Sequence, residues 1–320
     1  MEKIRHYAPK TLNRLEGHTD IKGHDFSKDQ TLQEFITAYD ATGLQAANLS
    51  KGTGIINDML EKKATICLSM TSNIISSGLR DIITYLVKNK KVQLIVTSAG
   101  GVEEDIIKCL GTFKLGNFDI PGKVLAEQGI SRIGNILVPD DRYAYFDQFF
   151  TPLLSKLYEH KTISVTQLTK ALGLAINDES SYLYWAAKHD IPVFCPGIMD
   201  GSIGDLIYYF LYNHRDFVVD VAQDHKRIID FMLAQENVGC IFLGGGMPKH
   251  YVLNANIFRG GADSAVYITT ATEHDGSDSG GNPEEAKTWA KLKVDSVAVK
   301  IVAEASIVFP LIVAGSFARQ

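Results

Sequence analysis

No stretch of this 320-residue sequence reaches about 18 consecutive apolar residues, and its opening Met1-Glu2-Lys3-Ile4-Arg5-His6 lacks the apolar core of a signal peptide. Neither a membrane span nor secretion is expected. Cysteine is scarce: Cys67, Cys109, Cys195 and Cys240 stand far apart, mostly in apolar runs. That spacing gives no disulfide framework and no metal knuckle, and it fits buried free thiols in a reducing compartment such as the cytoplasm. Positive charge is not in excess, with 32 basic against 37 acidic residues and a net charge of -5. A general nucleic-acid surface is therefore not expected, and a basic partner or substrate suits the balance better. Repeats, low-complexity tracts and the strict G-x-G-x-x-G fingerprint are missing too.

What the chain does have is glycine in particular places. Four turns read Ser98-Ala99-Gly100-Gly101-Val102-Glu103-Glu104-Asp105, Asp200-Gly201-Ser202-Ile203-Gly204-Asp205, Gly244-Gly245-Gly246 and Asp275-Gly276-Ser277-Asp278-Ser279-Gly280-Gly281, each after a hydrophobic run. Glycine lets backbone approach a ligand closely. At strand ends it suggests an α/β sheet holding a nucleotide along its carboxyl edge, with the acids beside it receiving a cationic substrate. Strand runs are expected near residues 65–70, 92–97, 134–139, 191–196, 217–220, 239–243, 265–270 and 298–303. Helices are expected at 32–39, 54–62, 143–158, 180–189 and 224–235, with further ones after the turns at 71–73 and 101–105. Strand, small-residue turn and helix occur twice within 45 residues, the βαβ signature. With no composition break, the expectation is an amino-terminal arm over residues 1–30 and one catalytic α/β domain over 31–320, built on a mostly parallel sheet.

Residues 271–293 carry most of the chemistry. Asn282, Pro283 and Glu285 form a helix start in which Asn caps the free amides and Pro loses no hydrogen bond. Glu285 can close a capping box, and with Trp289 four residues on it offers a carboxylate and an indole to an alkylammonium group. A capping Glu and a core Trp satisfy the same spacing. Asp275 and Asp278 bring further acids, which could also hold a metal, but no histidine ligand set accompanies them and none is expected. Lys287, Lys291, Lys293 and Lys300 lie nearby. A lysine among apolar groups can lose its proton and attack an imine, and spacing does not choose among the four. His250 is a candidate general base, with Asn254 on the same face of any helix there.

These strings resemble the deoxyhypusine synthase family from about Gly23 to Phe317. The resemblance rests on Thr71-Ser72-Asn73-Ile74-Ile75-Ser76-Ser77-Gly78, Ala99-Gly100-Gly101-Val102-Glu103-Glu104-Asp105, Arg132-Ile133-Gly134-Asn135, Asp200-Gly201-Ser202-Ile203-Gly204-Asp205, Leu243-Gly244-Gly245-Gly246, Lys249-His250, Asn254-Ala255-Asn256 and Asp275-Gly276-Ser277-Asp278-Ser279-Gly280. It implies a three-layer, Rossmann-like fold with a mostly parallel central sheet. It implies transfer of the aminobutyl group of spermidine to one lysine of the translation initiation factor 5A precursor, with NAD reduced and reoxidised within the cycle. The family's Trp-Gly-Lys string reads Trp289-Ala290-Lys291 here, which makes Lys291 the covalent nucleophile and leaves His250 to accept a proton. Spermidine would meet Asp205, His250, Asn254, Tyr267, Asp278, Glu285 and Trp289. NAD would meet Ser72, Asn73, Ser98, Ala99, Gly100, Glu104, Asp200, Gly245, Thr270, Ala271, Asp275, Gly276, Glu304 and Ala305. The resemblance further implies a homotetramer, a dimer of dimers whose active sites are shared between subunits.

Some positions depart from the family pattern. Ser98 stands for Thr, Ala290 for Gly, Glu304 for Asp, and His274 for an aromatic residue. The arm and the stretch between Glu61 and Thr65 are shorter than in animal members, as in an archaeal or similar short form. None of these changes removes a catalytic group. Three other functions are compatible with the sequence: a homospermidine synthase-like transfer to putrescine, an ordinary NAD dehydrogenase, and a silent regulatory subunit.

Overall fold

The computed structural model describes residues 17–318. Its centre is a six-stranded sheet, all parallel, of β1 (Thr65–Met70), β2 (Leu94–Thr97), β3 (Val193–Phe194), β4 (Val238–Leu243), β5 (Ala262–Thr269) and β6 (Leu292–Val302). Their spatial order is β6-β5-β4-β1-β2-β3. Parallel sheets covered on both faces need strands apolar on both faces, and β4 is buried at every residue. Successive strand residues serve opposite cores. Ile66, Leu68, Ile95, Ile241, Val266 and Ile268 enter one hydrophobic cluster, with side chains from the helices Leu44–Glu61, Leu79–Lys88, Ala99–Leu110 and Ala305–Gly315. Cys67, Leu94, Val96, Cys240, Phe242 and Tyr267 enter the other, with side chains from Val221–Leu233 and Gly246–Ile257. The result is the three-layer, Rossmann-like α/β fold expected from the sequence.

Two expected strands fall outside this sheet. Ile136–Pro139 pairs antiparallel with Ile130–Ile133 and Lys114–Leu115, and Val218–Asp220 pairs with Thr162–Ser164. Both are only partly buried, as suits small sheets covered on one side. The helix expected from Gly54 begins ten residues earlier, at Leu44. Gly52 lies inside this helix as a packing residue. A Cβ there would sit 2.9 Å from Ile301 Cδ1, so glycine lets the helix lie close on the sheet.

Residues 1–16 of the expected arm lie outside the described residues. Its remainder is tied down by His24, whose ring lies 4.2 Å from that of Phe35 and 4.8 Å from that of Tyr39, and whose Nε2 bonds the Phe35 carbonyl at 2.8 Å. Thr31 and Glu34 then form a reciprocal capping box that starts the helix Leu32–Ala38. Among the described residues no helix is long and apolar enough to cross a membrane.

Numbered by chain order, the sheet runs third-second-first-fourth-fifth-sixth. That order reverses between β1 and β4, and in such sheets the crevice at the carboxyl ends of the strands flanking the reversal receives a dinucleotide. The turns that leave β1 and β4 are Thr71-Ser72-Asn73 and Gly244-Gly245-Gly246.

Candidate active site

The crevice is walled by backbone. Helices Ala99–Leu110, Gly246–Ile257 and Ala305–Gly315 start just past the carboxyl ends of β2, β4 and β6, and none has its first-turn amides capped by a side chain at the N-cap. Open amides at helix starts suit a pyrophosphate, so the donor set fits NAD. The segment Ser72–Ser77 packs on the first of these helices. Ser98 Oγ accepts the Ser72 amide at 3.0 Å, and a Cβ at Gly100 would lie 2.8 Å from Ser72 Cβ. Ser76 Oγ donates to Glu104 Oε2. Burial raises the Glu104 carboxyl to about 7, against the opposing Ser76 bond. Gly245 is pressed on Ser279, where a Cβ would meet Cα at 2.5 Å. Thr270 and Ala271 follow β5, and Glu304 and Ala305 follow β6 at the far end of the same edge. Asp275 and Gly276 lie in the exposed loop after β5, with Asp275 Oδ1 accepting the Ser277 amide at 2.8 Å.

Glu103 was not singled out by the sequence reading. Only 5% exposed, its carboxylate takes the Ile203 amide at 3.0 Å at the start of helix Ser202–Leu211. Burial raises its pKa, and Asp205 and Asp200 push the same way. Glu103, Asp200 and Asp205 therefore form one acidic group beside the crevice. A long buried carboxylate next to a second one was the signal available in the string Glu103-Glu104.

A second group of residues gathers around Lys291. Its Nζ lies 3.2 Å from His250 Nε2 and 5.7 Å from the centre of the Trp289 ring. His250 Nδ1 in turn lies 3.2 Å from Asn254 Nδ2, one helical turn on. Burial and the adjacent Lys291 both hold the His250 pKa below the usual 6.5. The other three lysines are occupied: Lys287 with Glu284 at 2.8 Å, Lys293 with Asp263, and Lys300 with Glu273 at 3.1 Å. Among the described residues Lys291 is the one of the four without a carboxylate partner.

Beyond Lys291 a small cavity is lined by Lys249, Tyr267, Asp278, Glu285 and Trp289. Among the described residues the buried Tyr267 hydroxyl has no hydrogen-bond partner. Asp278 Oδ2 is also without one, although Lys249 Nζ lies 3.4 Å away in poor hydrogen-bond geometry; the ammonium bonds the Asp278 carbonyl instead. Unsatisfied buried polar atoms facing one cavity are a binding feature. A wider concavity opens on the other side, along His225, His250, Asn254 and Phe258, and meets the first at Trp289 and Lys291.

The helix expected to carry both Glu285 and Trp289 ends at Thr288. Trp289 caps it and is 64% exposed, so it is no core residue. Asn282 accepts the Glu285 amide at 3.0 Å, while the Glu285 carboxylate turns to the cavity and the charge of Lys249. Ala290 has φ 52°, a left-handed conformation that costs a residue with a Cβ about 1 kcal/mol and glycine almost nothing.

Seven of the predicted residues, Lys291, His250, Asn254, Tyr267, Asp278, Glu285 and Trp289, are thus assembled. Asp205 sits instead with Glu103 and Asp200.

A Rossmann-order sheet with open helix starts at its carboxyl edge places this chain among Rossmann-like α/β proteins, with a lysine–histidine pocket as its candidate active site. The family model for deoxyhypusine synthase matches residues 34–316. The chain is 44% identical to the deoxyhypusine synthase of Senecio vernalis and 41% identical to that of Nicotiana tabacum, in each case over 100% of this chain and 95% of the relative. The crystal structure of an Entamoeba histolytica protein described as a deoxyhypusine synthase superposes with a TM-score of 0.70 at 34% identity, covering 93% of this chain and 97% of the other. The chain belongs to the deoxyhypusine synthase family.

Proposed function

We propose that this chain is a deoxyhypusine synthase. It moves the 4-aminobutyl group of spermidine through Lys291 onto a lysine of the translation initiation factor 5A precursor and releases 1,3-diaminopropane. The observation that carries this reading is a lysine free of carboxylates, 3.2 Å from a histidine with a lowered pKa, at the mouth of an acidic, polar-lined cavity.

NAD bound along Ser72, Asn73, Ser98, Ala99, Gly100, Glu104, Asp200, Gly245, Thr270, Ala271, Asp275, Gly276, Glu304 and Ala305 supplies the reversible two-electron oxidation of the substrate's carbon–nitrogen bond. The side chains do the rest. Asp278 and Glu285 receive the primary ammonium of the butyl arm, and Tyr267 finds in that amine the partner it lacks. Neutral His250 accepts the proton that leaves the secondary nitrogen as the imine forms. Lys291 Nζ adds to the imine carbon, the bond to the propyl-side nitrogen breaks, and 1,3-diaminopropane leaves with that nitrogen. The aminobutyl group now sits on Lys291 as an imine. The acceptor lysine displaces Lys291 by the same exchange, and reduction of the new imine completes the transfer. Trp289 and Phe258, once covered by a neighbouring subunit, keep water from both imines, which hydrolysis would destroy.

Asp205 and the acids beside it lie apart from Lys291 within one chain. A homotetramer in which the crevice of one subunit faces the Lys291 pocket of its neighbour would join them, and it would cover the exposed Trp289, Ile307 and Tyr208. In this reading residues 31–320 act as one catalytic unit in the cytoplasm, with residues 1–30 as an arm.

Purified protein, NAD and butyl-labelled spermidine, with and without the unmodified factor, test the proposal beside Lys291→Ala. Label should reach the factor and vanish in the variant. Label on putrescine would make the protein a free-amine transferase. Labelled product with stoichiometric NADH would make it a dehydrogenase, and no turnover of spermidine would point to a regulatory subunit.

A further inference from the structure

Lys108 has no part in the chemistry proposed for Lys291, yet all three of its ammonium's hydrogen bonds go to one short segment. Nζ donates to the carbonyls of Ile75 at 2.9 Å, Ser76 at 3.1 Å and Ser77 at 2.8 Å. Those are consecutive carbonyls at the carboxyl end of the helix Ser72–Ser76, which at five residues is too short to hold itself. A cation there satisfies orphan carbonyls and opposes the negative end of the helix.

The contacts along helix Ala99–Leu110 are ordered. Ser98 takes the Ser72 amide, Gly100 admits the Ser72 Cβ, Glu104 takes the Ser76 hydroxyl, and Lys108 takes the three carbonyls. Residues 100, 104 and 108 lie on one helical face, and that face is the seat of residues 72–77. Ser98, Gly100 and Glu104 are assigned above to the cofactor, as are Ser72 and Asn73. Lys108 closes the same seat from the far end. We propose that Lys108 is a positioning residue for NAD: by gripping the carbonyls of residues 75–77 it presets Ser72 and Asn73 at the crevice before the cofactor arrives. Burial lowers the Lys108 pKa, which its charged neighbours Glu104, Asp105 and Asp81 oppose and Arg80 reinforces.

This inference rests on the NAD-dependent reading, and the two can be separated. The affinity of the wild-type protein for NAD is measured calorimetrically without polyamine, beside Lys108→Met and Lys108→Arg, with hydrogen exchange of the peptide 72–78 in the cofactor-free proteins. A seat that closes only part of the time weakens apparent affinity by the fraction closed. Lys108→Met should weaken NAD binding about tenfold and speed exchange in residues 72–78 by a similar factor, since charge-assisted bonds of this kind are individually strong. Turnover at saturating NAD should stay within about twofold, and Lys108→Arg should recover most of the affinity. Unchanged NAD affinity in Lys108→Met, with a lower melting temperature alone, would make Lys108 a stability residue and overturn the proposal. So would Lys108→Arg binding as poorly as Lys108→Met while its peptide 72–78 stays protected. Wild-type protein that binds no NAD would overturn the functional reading together with this one.

Discussion

Glu104 carries a charge that the fold tolerates poorly, and Glu104→Gln turns that into a number. Its carboxyl is 6% exposed, and burial raises its pKa from 4.5 to about 7. The folded protein therefore holds a proton that the unfolded chain has released. Stability linked to that proton is complete below the unfolded value near 4.5 and is lost as pH rises through about 7. At about 1.4 kcal/mol per pKa unit, the loss amounts to roughly 3 kcal/mol. Glutamine is the neutral form made permanent, and its oxygen still accepts from Ser76. Urea melts of cofactor-free protein at pH 4.5 and 8.5 should give equal stabilities for the two proteins at the lower pH. At the higher pH the variant should be more stable by roughly 3 kcal/mol, with about 5 °C in melting temperature. A difference between variant and wild type that does not change with pH, or a less stable variant at pH 8.5, would show that the buried Glu104 carboxyl does not hold this proton.

Other outcomes follow from single positions. Ala290→Gly should stabilise the protein by up to about 1 kcal/mol in equilibrium denaturation, because it removes left-handed strain at the cost of some chain entropy. Turnover should rise with pH through an inflection below 6.5, where His250 loses its proton, and His250→Ala should lower the rate by about 10²–10⁴ and abolish that limb of the profile. Arg80→Met should destabilise by about 3 kcal/mol or more in urea melts, since it leaves Asp105 buried without the cation now 2.7 Å away. Trp289→Ala should weaken spermidine binding more than NAD binding in calorimetry.

The sequence was most informative where local chemistry repeats. Each strand ran into a glycine or small-residue turn, and those turns do line one sheet edge. What the pattern could not carry was long-range pairing. The run 136–139 is as apolar as a sheet strand, but its partner is the four-residue segment just before it, across a turn at Gly134 with φ 60°. The helix start at Leu44 was not legible either, since the close contact that makes room for Gly52 in it, with Ile301, lies some 250 positions away. The lysines show the same limit. Spacing left four candidates, the family resemblance chose Lys291, and the ion pairs of the other three supply the physical difference between them. Glu103 and Lys108 escaped notice because a buried charge is recognised by what surrounds it, and those surroundings come from residues 75–77 and 203.

If Lys291 carries the aminobutyl group, reduction should trap that group on it. Protein incubated with NAD and spermidine, without acceptor, would be reduced with borohydride, digested and read by mass spectrometry. One 4-aminobutyl group on the peptide containing Lys291, absent without NAD and absent in Lys291→Arg, is the predicted result. Spermidine consumed with Lys291 unmodified, or the adduct on Lys249, would contradict it.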